Sequence, residues 1–420
     1  MKYTIIGNSF AGVFAVEAIR KADPKGGIRV IAEENEPAYS PAMLHEYLPG
    51  VADKNLLYLR PSDFYEKNEV ETVFGSSVTQ VDAKERVLSL GRKKLEFQKL
   101  LIATGGTPFI PPGIDGLDKF GNVFTFTRKS SADAMAKKMA GVDSVVVLGA
   151  GLIGLQCAEG LAHMRVKVTV VELADNILPM ALDDAAAALV LKELRAEGVE
   201  VLTGDTITKI NGRGKDIQSV TLKSGGKIPC RMVVVAVGVR PNVDFLKGSG
   251  IKVDRGILVD ERMRASATDV YAAGDCAQGV EILSGKKMPI PIIPIATKQG
   301  AVAGSNMAGK KRSYSGGLSL NALQFGGMQL ISYGFVRDEE KAEVLKDLDP
   351  ARGLYRKVII KDGLLTGVVL VKNIERAGLF RYLMENRVPV EAFKDSLLFR
   401  DFGVAHLPKG VRDAMFTKPV

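Results

Sequence analysis

Short, uninterrupted apolar runs that end in glycine-rich turns organise the first two thirds of the chain. Tyr3-Thr4-Ile5-Ile6 leads into Gly7-Asn8-Ser9-Phe10-Ala11-Gly12, and Val145-Val146-Val147-Leu148 leads into Gly149-Ala150-Gly151-Leu152-Ile153-Gly154. An apolar run with no polar alternation reads as a strand buried on both faces, the kind found in parallel sheets. Helical stretches follow both turns, at Val13 to Lys21 and at Leu155 to Met164. Second strands come next. Ile28 to Ala32 closes on Glu33-Glu34, and Val166 to Val171 closes on Glu172. Each unit is therefore a βαβ segment whose first turn can hold a pyrophosphate on backbone N–H groups. Each also closes on an acid at about the offset of roughly 20 residues that suits a ribose hydroxyl.

The parallel extends further. Leu100 to Ala103 runs into Thr104-Gly105-Gly106-Thr107-Pro108, and Val233 to Val237 runs into Gly238-Val239-Arg240-Pro241-Asn242. Asp269-Val270-Tyr271-Ala272-Ala273-Gly274-Asp275 is a further short strand with a Gly-Asp end, read as returning the chain to the first domain. Beyond residue 316 the texture changes to strand-like runs at Met328 to Phe335, Tyr355 to Ile360 and Leu364 to Val371. Lys361-Asp362-Gly363 reads as a hairpin turn, and a helix is predicted near Ala377 to Glu385. The expected fold class is α/β, with two Rossmann-like dinucleotide-binding domains, one inserted in the other, and a C-terminal α+β domain. The expected domains are 1–113 with 254–315, 114–253, and 316–420. Two units of this kind imply two dinucleotides in one protein, which is what hydride exchange between cofactors requires.

Composition narrows the class without naming the chemistry. The 420 residues are 46% hydrophobic and 25% charged, ordinary for a globular protein of two or three domains. No apolar stretch approaches the roughly 18–20 residues of a membrane span. The first strand begins at Lys2-Tyr3, which leaves no room for a signal peptide, so a cytoplasmic location is expected. Cys157, Cys230 and Cys276 are far apart, and His45, His163 and His406 form no cluster with them, so no metal site is expected. The net charge of +9 includes the runs Arg92-Lys93-Lys94, Lys286-Lys287 and Lys310-Lys311-Arg312. Such a surplus steers acidic partners or simply solvates the surface. No nucleic-acid-binding pattern accompanies it, so no nucleic-acid partner is expected.

The order GNSFAG, ATGGTP, GAGLIG, VGVRPN and YAAGD resembles the two-dinucleotide-domain flavoproteins. That superfamily includes pyridine-nucleotide–disulfide reductases, ferredoxin and rubredoxin reductases and NADH oxidases. The resemblance covers essentially the whole chain, including a C-terminal interface domain. It implies FAD in the first unit and a nicotinamide dinucleotide in the second. Gly7, Ser9, Phe10, Ala11 and Gly12 would form the FAD pyrophosphate turn, with Ser9 in place of the usual middle glycine. Glu33, beside Glu34, would take the adenosine ribose hydroxyls, because a carboxylate accepts two hydrogen bonds. Ala103, Thr104 and Gly105 would pass the FAD at a strand end. Gly274 and Asp275 would meet its ribityl chain or phosphates. Ile295 and Ala296 would start a helix near the flavin ring, and Pro41, Val78 and Gly238 complete the implied set. In the second unit Gly149, Gly151, Leu152, Ile153 and Gly154 would hold the nicotinamide dinucleotide. Glu172, with no arginine in the following Leu173-Ala174-Asp175, favours the free ribose hydroxyl of NAD over the phosphate of NADP. Gln156 stands where many relatives carry Glu.

The missing residues set the subclass. Disulfide reductases place a C-x4-C pair after the FAD-binding βαβ unit, and relatives acting on coenzyme A disulfide or oxygen place one cysteine there. This chain has Pro37-Ala38-Tyr39-Ser40-Pro41-Ala42-Met43-Leu44, and no cysteine precedes Cys157. No His–Glu acid–base pair stands near the C-terminus, and no catalytic side chain is assigned. The resemblance then points to ferredoxin- and rubredoxin-reductase-like members. It also points to the flavoprotein subunits of anaerobic 2-oxoacid oxidoreductase complexes, such as the NADH-linked subunit of phenylglyoxylate dehydrogenase. The expectation is an FAD-dependent NAD(H) oxidoreductase that exchanges electrons with an iron–sulfur protein or subunit, as a homodimer or within a hetero-oligomeric complex. The alternatives are a stand-alone NADH:rubredoxin or ferredoxin reductase, an NADH oxidase, and a flavin-bearing structural subunit.

Overall fold

A computed structural model describes residues 1–51 and 53–417. In chain order the principal strands are β1 (Tyr3–Ile6), β2 (Ile28–Ile31), β3 (Val70–Val73), β4 (Lys99–Ile102), β5 (Ser144–Leu148), β6 (Lys167–Val171) and β7 (Val199–Leu202). They continue with β8 (Met232–Val235), β9 (Val270–Ala272), β10 (Leu320–Phe325), β11 (Met328–Gly334), β12 (Glu343–Asp349), β13 (Leu354–Lys361) and β14 (Leu364–Val371). The principal helices are α1 (Phe10–Ala22), α2 (Lys129–Lys138), α3 (Leu152–His163), α4 (Asp184–Ala196), α5 (Ile293–Met307) and α6 (Ala377–Glu385).

The chain divides into two compact units. The first comprises Met1–Pro112, Phe124–Gly141 and Val235–Gly317, and the second Gly113–Val123, Val142–Val234 and Leu318–Val420. The segments 124–141 and 235–253, read from the sequence with the inserted domain, thus pack with the first unit. The C-terminal segment from Leu318 packs with the second dinucleotide sheet.

In the first unit a parallel sheet runs in the order β9-β4-β1-β2-β3. All four residues of β1 are buried, as the apolar run predicts. Helices α1 and α5 pack against each other with unusual closeness, because two glycines face two alanines. A Cβ on Gly300 would lie 2.2 Å from the Ala11 carbonyl oxygen, and one on Gly304 would lie 2.5 Å from that of Ala15. Only glycine allows backbones to approach this far.

In the second unit β7-β6-β5-β8 are neighbours in one sheet, and the β7-β6-β5 pairs are parallel. The C-terminal sheet is antiparallel in the order β10-β11-β14-β13-β12. Its β13–β14 turn puts Asp362 and Gly363 at φ values of 51° and 72°, the left-handed pair that a two-residue hairpin requires. The apolar face of α6, through Leu379, Phe380, Leu383 and Met384, completes this core.

Candidate functional site

The two glycine turns are built alike. Gly7 has φ of +115° and donates its N–H to the Ile31 carbonyl at 2.8 Å. Gly149 has φ of +107° and donates to the Val171 carbonyl, also at 2.8 Å. In both units the first glycine is therefore tied to the last residue of the second strand, so the turn and the acid that follows that strand are held together. A Cβ on Gly7 would sit 2.0 Å from the Ala103 carbonyl oxygen, and one on Gly12 would sit 2.3 Å from that of Gly7. These positions exclude any side chain. Gly151, the residue capping α3, has open space around its Cβ position. Ser9 precedes α1 as its N-cap, yet its hydroxyl makes no capping hydrogen bond. The first N–H groups of both helices lack intrahelical acceptors and can receive an anion.

The structure brings Ala103, Thr104 and Gly274 to the first turn, and places the other expected residues elsewhere in the same unit. Gly274 at φ of +79° lies against Ala11 and Ala296; a Cβ there would be 3.2 and 3.6 Å from theirs. Ala103 donates its N–H to the Ile6 carbonyl, and the Thr104 hydroxyl donates to the Asn242 carbonyl at 2.7 Å. Gly105 accepts from the Asn242 N–H. Gly238, at φ of +118°, accepts from the Phe109 N–H, within the first unit. Ile295 and Ala296 are buried at the start of α5. Val78 packs half-buried against the first unit's core, and Pro41 opens a short 3-10 turn that is exposed to solvent.

Asp275 stands out electrostatically. Burial pushes its carboxyl up to about 6, and among the described residues it meets no donor except its own N–H. Its side chain is only partly buried, and a carboxylate there is an acceptor for an incoming hydroxyl.

The acids that close the two units differ in their surroundings. Glu33 is half-exposed and lies 2.9 Å from the Arg128 guanidinium. Its neighbour Glu34 accepts from the Tyr39 hydroxyl at 2.6 Å and from the Ser130 hydroxyl at 2.8 Å. Among the described residues Glu172 is engaged by backbone alone: one oxygen accepts from Ala150 N–H at 2.6 Å and the other from Ala174 N–H at 2.8 Å. Ala150 is the second residue of its own glycine turn.

Several residues that shape the site carry no motif. Asn8 Nδ2 donates to the Glu36 carbonyl at 3.1 Å, and Asn8 Oδ1 accepts from the Tyr65 hydroxyl at 2.6 Å. Tyr65 in turn accepts from the Ala38 N–H. Lys129 pairs with Glu36 and Asp133, so Arg128, Lys129 and Ser130 together meet the acids Glu33, Glu36 and Glu34. Gln299, fully buried on α5, accepts from the Gly274 N–H at 2.9 Å and so fixes the turn that presents Asp275. The partners lie 25 or more residues apart in most of these contacts. The run Arg128-Lys129 beside Ser130-Ser131 was the only local signal.

The three thiols are buried, and burial raises the pKa of each, Cys230 to about 12. Cys276 sits one residue beyond Asp275, its sulfur 3.4 Å from the Ile102 and Ala273 carbonyl oxygens. His406 accepts from the Gly403 N–H and packs beside Phe399 and Phe402.

The pyridine nucleotide-disulphide oxidoreductase family model matches residues 1–300. The chain belongs to this family. The model of the rubredoxin NAD+ reductase C-terminal domain matches residues 320–388 of this pyridine nucleotide-disulphide oxidoreductase. It is 33% identical over 409 residues to the NADH-dependent phenylglyoxylate dehydrogenase subunit epsilon of Aromatoleum evansii, with 96% of each chain covered. It is 30% identical over 311 residues to the rubredoxin-NAD(+) reductase of Pseudomonas putida, with 74% of this chain and 80% of that one covered. The structure of an NAD-dependent persulfide reductase from A. fulgidus superposes with a TM-score of 0.86 at 26% identity, covering 94% of this chain and 78% of that one. This family member is an oxidoreductase with FAD and NAD(H) as its cofactors. The first unit fits a flavin dinucleotide on its own terms. It has a glycine turn closed to side chains and a free capping hydroxyl at Ser9. It also has a partly buried carboxylate at Asp275 that can accept from a hydroxyl-bearing chain.

Proposed function

We propose that the chain carries electrons between NAD(H) and a protein-borne iron–sulfur centre through FAD held in its first unit. FAD, when bound, exchanges a hydride with the nicotinamide and can release its electrons one at a time, which suits iron–sulfur partners. The chain's own residues supply binding and orientation. The turn from Gly7 to Gly12 and the start of α1 receive the pyrophosphate. Glu33 accepts from the adenosine ribose, and Asp275 accepts from the hydroxyls of the ribityl chain. In the second unit Gly149 to Gly154 receive the second pyrophosphate. Glu172 accepts from the ribose of NAD(H), and its charge opposes the 2′-phosphate of NADP(H). No side chain is required as an acid or base, because hydride transfer needs positioning rather than proton movement.

One observation carries the choice of acceptor: the only three thiols are buried and held protonated, so none can take electrons from the flavin as a thiolate. Electrons must leave to something outside the chain. The finer reading is that the chain works as the flavoprotein subunit of a 2-oxoacid dehydrogenase complex of the phenylglyoxylate type. Its support is the end-to-end match with the epsilon subunit. The match of residues 320–388 to the rubredoxin reductase C-terminal domain favours a second reading, a stand-alone NADH:rubredoxin reductase.

The test is an anaerobic titration of the purified protein with NADH, followed in parallel by oxidised ferredoxin, oxidised rubredoxin or oxygen. Bleaching by NADH with rapid reoxidation by an iron–sulfur protein is expected. Reoxidation by oxygen faster than by either protein would instead establish an NADH oxidase. Bleaching that NADH cannot produce would leave a structural flavin subunit. Capture from native cells, with iron analysis of the partners, separates the subunit from the stand-alone enzyme.

A further inference from the structure

The sequence assigns the C-terminal domain no chemistry, yet a buried lysine in its sheet is tied to the loop that follows Glu172. Lys357, on β13, is 1% exposed. Its ammonium donates to the Val336 carbonyl at 2.6 Å and forms ion pairs with Asp338 at 2.7 Å and Asp183 at 3.0 Å. Tyr355, two residues earlier and so on the same face of the strand, donates its hydroxyl to the same Asp183 oxygen at 2.6 Å. Burial and this carboxylate together push the phenol upward, so the proton stays on Tyr355. The other Asp183 oxygen caps α4, accepting from the Ala186 N–H at 3.2 Å. Asp183 therefore serves one helix and two side chains of the C-terminal sheet at once.

Asp183 is also the far anchor of the loop from Glu172. The near anchor is Glu172 itself, bound to Ala150 and Ala174 N–H groups. In the middle Leu178, in the left-handed region at φ of 46°, donates its N–H to the carbonyl of Ala150. It also accepts from Ala181 and Leu182, one residue short of Asp183. The loop is thus strung between the glycine turn and the Tyr355–Lys357 pair. A buried ion pair of this kind contributes little net stability compared with an apolar contact, because desolvation offsets the attraction. Its geometry is specific instead.

We infer that Tyr355 and Lys357 are positioning residues for the pyridine nucleotide: through Asp183 they hold the 172–183 loop in the shape that recognises the adenosine half of NAD(H). This rests on the reading of Glu172 as the ribose acceptor. The test uses the full chain with its flavin and ferricyanide as acceptor. It compares NADH with reduced nicotinamide mononucleotide, which lacks the adenosine half. Tyr355→Phe, which removes one hydroxyl, is expected to raise KM for NADH about three- to tenfold. The value of kcat, the flavin content and the KM for the mononucleotide should stay unchanged. Asp183→Ser keeps a helix cap but loses the ion pair, and is expected to shift KM in the same direction. Unchanged KM for NADH in both variants, or equal shifts with both donors, overturns the inference. Glu172→Gln separates this from failure of the underlying reading. If Glu172→Gln leaves the ratio of the two KM values untouched, the assignment of the second unit falls, and this inference with it. If Glu172→Gln changes the ratio while Tyr355→Phe and Asp183→Ser do not, only the positioning role falls.

Discussion

The two dinucleotide units share a motif and differ in what stiffens it. In the first, groups from outside the βαβ segment brace the turn: the Tyr65 hydroxyl and the Glu36 backbone carbonyl hold Asn8, and Arg128 faces Glu33. In the second, the closing acid is itself the brace, since Glu172 accepts from Ala150 and Ala174. The first unit separates the job of shaping the turn from the job of meeting the ligand. The second, on the function proposed above, assigns both to one carboxylate. A resident cofactor suits the first arrangement, and a substrate that comes and goes suits the second.

The largest expected effect tests the tightness of the first turn. Gly7→Ala places a methyl 2.0 Å from the Ala103 carbonyl at a strained φ, so it should cost about 3 kcal/mol or more and yield protein without flavin. Gly151→Ala meets open space and should leave the melting temperature within a few degrees while weakening NADH binding. Flavin absorbance and thermal melts distinguish the two. If Gly7→Ala retained flavin at wild-type stoichiometry, the contrast would be lost.

Next comes a pH effect confined to the first unit. Burial raises the native pKa of Asp275 from the ordinary carboxylate range to about 6. A raised native pKa means that stability is fully present below the unfolded value near 4 and is lost as pH rises through 6. The apoprotein should therefore lose up to about 3 kcal/mol between pH 4 and pH 7 from this group. Urea unfolding of apoprotein reads this directly, and Asp275→Asn should flatten the trend. A slope that persists unchanged in Asp275→Asn assigns it elsewhere.

Glu172→Ala should lower kcat/KM for NADH about 10- to 100-fold, because the proposed ribose acceptor and the brace of its turn vanish together. Discrimination against NADPH should fall with it. Steady-state kinetics with both coenzymes settle the point; a loss equal for both would separate bracing from recognition. Smallest is Asn8→Ala, with a cost of about 1–2 kcal/mol and a correspondingly faster release of flavin on dilution. Wild-type flavin retention in Asn8→Ala would show that the Asn8–Tyr65 link shapes nothing the cofactor needs.

What was legible along the chain is what neighbours decide. Gly7 and Gly149 announce their turns because both need a positive φ, and at Gly7 the close approach of Ala103 also bars a side chain, while the flanking apolar runs mark buried parallel strands. The β13–β14 hairpin was visible in Lys361-Asp362-Gly363 and in the alternation around it. The strands β10 and β12 were not. Glu343–Asp349 is polar and largely exposed, Leu320–Phe325 mixes buried Leu323 and Phe325 with polar positions, and both lie at the sheet's edges, paired with β13 and β11. The braces were invisible for a related reason. Asn8 finds Tyr65 57 residues away and Glu34 finds Ser130 96 residues away. Nothing in an isolated asparagine or glutamate tells a braced position from a solvated one. Even Glu172, chosen for its ligand, gave no hint that its own turn would claim it first.

The glycine contacts between α1 and α5 bear on how this scaffold can be changed. With Gly300 and Gly304 pressed on Ala11 and Ala15, no stepwise enlargement is open at those positions, since the first added carbon already collides. Around Gly151, in the second unit, the same carbon meets nothing. A library aimed at altered coenzyme preference therefore has room to explore in the second half of the machinery, whereas diversity introduced along the α1–α5 seam would return mostly unfolded clones.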